Sequence, residues 1–196
     1  MNPQQAEVIR ETKETRITVR VDLSDASTID VDTGIAFFDH MLTGMAFHGS
    51  IGLSVRAEGD LDVEYHHTVE DVGLVFGDAL HQVFNQVGSV HRFGHAIIPM
   101  DDALGEAVVD VCNRPYLVYN ADYPQDYCGR FPVALFREFF WALAVRARIN
   151  LHLIARYGLN SHHMTEALFK AMGRALSQAY TPKSGGGSTM STKGTL

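Results

Sequence analysis

Arg16-Ile17-Thr18-Val19-Arg20-Val21 alternates polar side chains with β-branched apolar ones, the pattern of a strand with one buried face. Glu7 to Lys13 reads as its partner strand, with Glu14 at the turn between them. Ser24 to Gly34, rich in Asp, Ser and Thr, reads as a loop. Ile35 to His48 carries Phe37, Phe38, Met41, Leu42 and Met45 on one side and predicts a helix that His48-Gly49 ends. Ile51 to Ala57 alternates again as a strand. His66-His67-Thr68-Val69-Glu70 then heads an apolar helical run that ends near Gln86.

The order repeats. Ala107 to Cys112 and Tyr116 to Ala121 read as a strand pair about the turn Asn113-Arg114-Pro115. Pro132 to Arg148 reads as a helix and Ile149 to Tyr157 as a strand. His162-His163-Met164-Thr165-Glu166 heads a last helix that ends near Tyr180. Phe38 falls on Phe136, Ile51 on Ile149, Leu53 on Leu151, and His66, His67 and Glu70 on His162, His163 and Glu166. Gly77, Ala79 and Leu80 fall on Gly173, Ala175 and Leu176. That is an internal duplication. The expected fold is α+β, an internally duplicated β-β-α-β-α unit with two mixed sheets packed with helices. One domain over 1–196 is expected, with repeats over about 7–93 and 94–182 and a Gly/Ser-linked tail over 183–196.

Composition narrows the class. A chain of 196 residues, 46% hydrophobic and 20% charged, can bury a proper core. Its net charge of -7 argues against nucleic acid as a partner. No apolar run reaches membrane-spanning length, and the N-terminus lacks a basic region followed by an apolar one. Cys112 and Cys128 form neither a CxxC nor a disulfide framework. A reducing compartment, the cytoplasm, is the expected location.

The candidate chemistry lies in the two His-His motifs. On a helix His66 stacks over Glu70 and His162 over Glu166, whereas His67 and His163 point about 100° away. A lone His-His pair is more often a surface or capping feature, but two copies heading two equivalent helices favour metal binding. Each copy offers a pair and a spare, which suggests two equivalent ions, each held by one copy's pair and the other's spare. The duplication also lays His40 on Glu138, and both are metal-capable. One site is then His40, His67, His162 and Glu166, and its mate is Glu138, His163, His66 and Glu70. Glu138 alone would be read as a solvated carboxylate. Imidazole and carboxylate without thiolate favour Mn²⁺, Fe²⁺, Co²⁺ or Zn²⁺. Four protein ligands leave octahedral positions open for substrate. Arg92, Arg114, Lys170 and Lys193 stand apart from these motifs, and each alone is an ordinary surface charge. Lys170 lies eight residues past His162 on the same helix face.

Phe38-Asp39-His40-Met41-Leu42, Asp62-Val63-Glu64-Tyr65-His66-His67-Thr68-Val69-Glu70-Asp71, Asn160-Ser161-His162-His163 with Glu166, Phe169-Lys170-Ala171 and Ser191-Thr192-Lys193-Gly194 form a specific set. On these the sequence closely resembles the imidazoleglycerol-phosphate dehydratases of histidine biosynthesis, from about Val8 to Leu196. The resemblance implies a hydro-lyase that converts imidazole glycerol phosphate, a small phosphorylated imidazole, to imidazole acetol phosphate. It implies two Mn²⁺ per active site, other divalent transition metals being possible, in a homo-oligomer of 24 subunits whose sites form between subunits. The metal ligands it implies are the eight residues already singled out. Its substrate contacts carry over to Glu14, Arg92, Arg114, Lys170, Ser191, Thr192 and Lys193, with His40, His48, His66, Glu70 and His162 as further substrate-binding residues. Glu14 is the implied acid/base. Two positions depart from the family's pattern: Glu138 where many members have histidine, and Met190 where proline is usual.

Two other classes fit part of this. A dinuclear metal hydrolase of phosphoesters would use the same ligands to activate water. A ferritin-like metal store would also pair Glu with His, but on long helices, and the alternating strands oppose it.

Overall fold

The computed structural model describes residues 4–183. The expected Ser191, Thr192 and Lys193 contacts lie outside those residues.

The first half runs β1 (Gln5–Glu11), β2 (Thr15–Asp22), β3 (Ile29–Asp32), α1 (Ala36–Gly49), β4 (Gly52–Gly59) and α2 (His66–Val87). The second runs β5 (Phe93–Met100), β6 (Ala103–Asp110), β7 (Tyr116–Asn120), a short hairpin of β8 (Tyr127–Cys128) and β9 (Phe131–Pro132), α3 (Leu135–Ala147), β10 (Asn150–Tyr157) and α4 (Ser161–Tyr180). The two larger sheets have one topology. Their orders are β1-β2-β4-β3 and β5-β6-β10-β7, antiparallel except for the parallel outer pairs β3/β4 and β7/β10. The α+β class and the duplication stand, with one strand more in each of the two larger sheets than the pattern gave and the β8/β9 hairpin added in the second half.

The extra strands have physical reasons for being quiet in the sequence. β3 is four residues at a sheet edge, Ile-Asp-Val-Asp, inside a run of turn-forming residues. β5 holds Gly94 and Pro99, which break an alternating pattern, and as an edge strand it tolerates the proline. Nor do β6 and β7 pair with each other: both flank β10, so the segment at Asn113-Arg114-Pro115 crosses between them.

Packing crosses between the halves. Helix α1 lies on α4 and α2 on α3, while α2 covers β1 and β2 and α4 covers β5 and β6. Ile17, Val19 and Val21 point into the resulting core together with Phe38, Phe76, Phe136, Phe139, Phe140 and Phe169. Two equivalent glycines let the helices meet. A Cβ on Gly77 would lie 2.6 Å from the Leu143 carbonyl oxygen, and one on Gly173 would lie 2.0 Å from that of Met45. The first helix of each half also ends alike, at a left-handed residue, Ser50 (φ 52°) and Arg148 (φ 57°).

Candidate active site

Helices α1 and α4 cross with their N-terminal turns close together, and that crossing assembles the site. Asp39 accepts hydrogen bonds from the Thr33 backbone N–H (2.8 Å) and Oγ1 (2.6 Å), tying down the start of α1 where His40 stands. Asn160 Oδ1 accepts from the His162 backbone N–H (2.9 Å), a side-chain N-cap that fixes the first turn of α4.

His40, His162 and Glu166 converge, offering one ligand atom each within 4.8 Å of one another. Glu166 Oε2 lies 3.1 Å from His162 Nε2 and 3.7 Å from His40 Nε2. Its other oxygen, Oε1, is 2.7 Å from Lys170 Nζ one turn along. Burial works to raise the Glu166 pKa, but the Lys170 hydrogen bond and charge, together with His40 and His162, outweigh it and hold the group below the usual carboxylate value. The site residue Lys170 is therefore placed on Glu166, with its Nζ also 3.3 Å from Met100 Sδ. His48, at the end of α1, has its pKa lowered by partial desolvation of its ring and by the charge of Lys170. A cleft of about 530 Å³ opens beside the cluster between Phe37, His40, Tyr65, Arg130, Phe131 and His162.

The other His-His motif gives the pair His66–Glu70, Nε2 to Oε2 3.7 Å. The spares behave alike. His67 Nδ1 lies 3.0 Å from Asp60 Oδ2 and 4.0 Å from Glu14 Oε2. His163 Nδ1 lies 2.5 Å from Asp102 Oδ1, with its Nε2 3.5 Å from Asp101 Oδ2. The hydrogen bond to Asp60 raises the His67 pKa and that to Asp102 raises the His163 pKa, while Asp102 itself is held down to about 2. A carboxylate on Nδ1 fixes the ring and leaves Nε2 as the ligand atom. Glu138 pairs with neighbouring Arg137 at 3.3 Å. Within one chain, then, three of the four members of the first expected set meet and two of the second. Neither His67 nor His163 joins the other motif's pair among the described residues.

Imidazole and carboxylate donors at this spacing suit a divalent transition metal. Arg92 lies elsewhere. Its backbone N–H donates to the Ala179 carbonyl (2.9 Å) near the end of α4, and its guanidinium binds Asp110 (2.6 and 3.1 Å). Arg114 is exposed at the same end, where its carbonyl accepts from Asn150 Nδ2 (2.6 Å).

The family model for imidazoleglycerol-phosphate dehydratase matches residues 33–176, which include the first helix of each half and both His-His motifs. The chain belongs to the imidazoleglycerol-phosphate dehydratase family. The dehydratase of Gluconobacter oxydans is 49% identical over 193 residues, 97% of each chain, and that of Desulfitobacterium hafniense is 46% identical over the whole of both. The crystal structure of the dehydratase from Staphylococcus aureus matches with a TM-score of 0.83 at 36% identity, covering 91% of this chain and 99% of that one. The Pyrococcus furiosus enzyme, solved in complex with (S)-C348, matches with a TM-score of 0.85 at 38% identity, covering 96% and 100%.

Asp60 and Asp102 are the dehydratase residues that motif reading passed over. Asp102 had a signal. In the hairpin registers Glu11 faces Arg16 and Pro99 faces Leu104, which sets Glu14 on Asp102. That correspondence needs β5, the strand hidden by Gly94 and Pro99.

Proposed function

We propose that this chain is an imidazoleglycerol-phosphate dehydratase that removes water from imidazole glycerol phosphate, giving imidazole acetol phosphate in histidine biosynthesis. The observation that carries this is the convergence of His40, His162 and Glu166 in a chain of that family. The reaction takes a hydroxyl from the carbon next to the ring and a proton from the neighbouring hydroxyl-bearing carbon. The resulting enol then becomes the ketone.

When bound, two Mn²⁺ ions per site would supply Lewis acidity toward the imidazole ring. His40, His162 and Glu166 Oε2 would hold one, with Lys170 orienting the carboxylate through Oε1. His66 and Glu70 begin the other. His67 and His163, each fixed through Nδ1, complete the two sets, with Glu138 as the last ligand. Glu14, beside His67 and outside both ligand sets, moves the proton on the side chain. Arg92, Arg114, Ser191, Thr192 and Lys193 hold the phosphate, and His48 and Lys170 stand near the imidazole end.

One chain cannot bring these groups to one substrate. Glu166 and Ala179, where Arg92 docks, are 13 residues apart on α4, about 20 Å along the axis. A three-carbon substrate spans far less. The proposed active site therefore draws its phosphate contacts from another copy, which supports a homo-oligomer; the number of 24 subunits rests on the family resemblance alone. No helix of the described residues is long and apolar enough to cross a membrane, and the proposed location is the cytoplasm.

The test uses metal-free protein reloaded with Mn²⁺ and offered imidazole glycerol phosphate or a generic phosphoester. Dehydration of the first alone is expected, and hydrolysis of the second would support the hydrolase reading. Mixing Arg92→Ala with His162→Ala subunits should restore turnover if sites are shared.

A further inference from the structure

The hairpin that carries Glu14 is fastened to α2 by a polar cluster. Asp71, 7% exposed, accepts a hydrogen bond from Thr15 Oγ1, and its Oδ2 forms an ion pair with Arg10 Nη1 at 2.5 Å. Thr12 Oγ1 accepts from the backbone N–H groups of Glu14 (3.1 Å) and Thr15 (3.0 Å). The residue on each side of this turn is thus held, and α2, which bears His66, His67 and Glu70, is tied directly to the residue after Glu14.

A buried ionic cluster is weak evidence for stability, since well-packed apolar residues often serve as well. The duplication supplies an internal control. Arg10 faces Ile17 in the first hairpin, and Ile98 faces Gly105 in the second. That register sets Arg10 on Ile98, Thr12 on Met100 and Thr15 on Ala103, and the helices set Asp71 on Ala167. All four polar residues have apolar counterparts. Ala103 and Ala167 are buried, and the second half builds the equivalent hairpin against the equivalent helix, α4, without the cluster. What differs is the turn's cargo. Asp102 is anchored by its own contacts, accepting from the Leu159 and Asn160 backbone N–H groups (2.5 and 3.1 Å) as well as meeting His163. Among the described residues the Glu14 side chain, 57% exposed, has no such backbone tie and meets only His67 Nδ1 at 4.0 Å.

We infer that Asp71 and Thr15 are positioning residues for Glu14, a polar clasp that sets its carboxylate against the α2 ligands. This rests on the reading of Glu14 as the proton-transfer group. Because an ångström of misplacement can cost about 10²-fold in rate, the clasp should act on turnover rather than binding.

The experiment compares Mn²⁺-loaded wild type with Thr15→Val, Thr15→Ser, Glu14→Gln and the triple variant Arg10→Ile/Thr15→Ala/Asp71→Ala, which installs the second half's own residues. For Thr15→Val and the triple variant, kcat should fall about 10²-fold with KM and bound Mn²⁺ at wild-type levels. Thr15→Ser, which keeps the hydroxyl, should restore most of the rate. Wild-type kcat in Thr15→Val, or a loss in KM and metal instead of kcat, overturns the inference. If the triple variant does not fold, Thr15→Val decides, since it exchanges one hydroxyl for a methyl. Glu14→Gln separates the two claims. Normal turnover there removes Glu14 and the clasp together, whereas a dead Glu14→Gln beside a normal Thr15→Val removes only the clasp.

Discussion

Lys170→Met removes the cation from Glu166 and leaves a half-buried carboxylate to face His40 and His162 alone. Breaking a fully buried ion pair by deleting one partner costs about 3–5 kcal/mol. Here the two side chains keep 13% and 15% exposure. Glu166 can also turn its freed oxygen toward His162, so the expected cost in metal-free protein at pH 7 is nearer ~1–2 kcal/mol. The effect has a pH signature. The Glu166 pKa in the folded chain lies below its ordinary value of 4.5. Its contribution is therefore present above that value and is lost as pH falls through the folded pKa. Urea unfolding of metal-free wild type and variant, stepped from pH 7 into the acid limb, should show curves that converge as Glu166 becomes protonated. With metal, loss of the orienting contact at Oε1 should weaken Mn²⁺ binding by about 10–100-fold. A stability gap that persists unchanged through the acid limb would refute the pairing. Unchanged Mn²⁺ affinity would refute the orienting role.

Glu14→Gln should keep its Mn²⁺ and its assembly while losing turnover by orders of magnitude, read by metal analysis, size-exclusion and kinetics on one preparation; near-normal turnover removes Glu14 from the chemistry. Gly77→Ala and Gly173→Ala each place a methyl against a facing helix carbonyl and should cost about 1–3 kcal/mol in thermal unfolding. Gly173→Ala should be the worse, since its Cβ would sit 2.0 Å from the Met45 oxygen against 2.6 Å for Gly77 and Leu143, and the reverse order would contradict the packing described. Truncation after Lys183 removes Ser191, Thr192 and Lys193, and should raise KM for the phosphorylated substrate while both metals stay bound; an unchanged KM would remove the tail from phosphate binding.

Much of this was legible in the sequence because the information was periodic. The alternation of Ile17, Val19 and Val21 and the apolar faces of the four helices are local signals, and the chain writes them twice. The pairing of His162 with Glu166 is likewise helical arithmetic, four residues and one turn. His40 came into that site only through the laying of one half on the other, and the structure puts its Nε2 3.7 Å from Glu166. What stayed hidden depends on tertiary neighbours. The β3 and β5 strands are edges whose short or Gly- and Pro-marked sequences look like loops. Asp60 and Asp102 are turn residues that gain meaning only when a helix brings His67 or His163 onto them. Lys170 was singled out only as a candidate substrate contact on the His162 face, and the structure puts its Nζ 2.7 Å from Glu166 Oε1, one turn back on that face.

The most direct measurement follows imidazole glycerol phosphate by proton and phosphorus NMR in the presence of Mn²⁺-loaded protein. The expected result is loss of the two hydroxyl-bearing methine signals, appearance of the ketone's methylene, and a phosphorus signal that remains that of a phosphate ester. Release of inorganic phosphate with the glycerol chain intact, or no conversion with metal bound, would contradict the dehydratase reading.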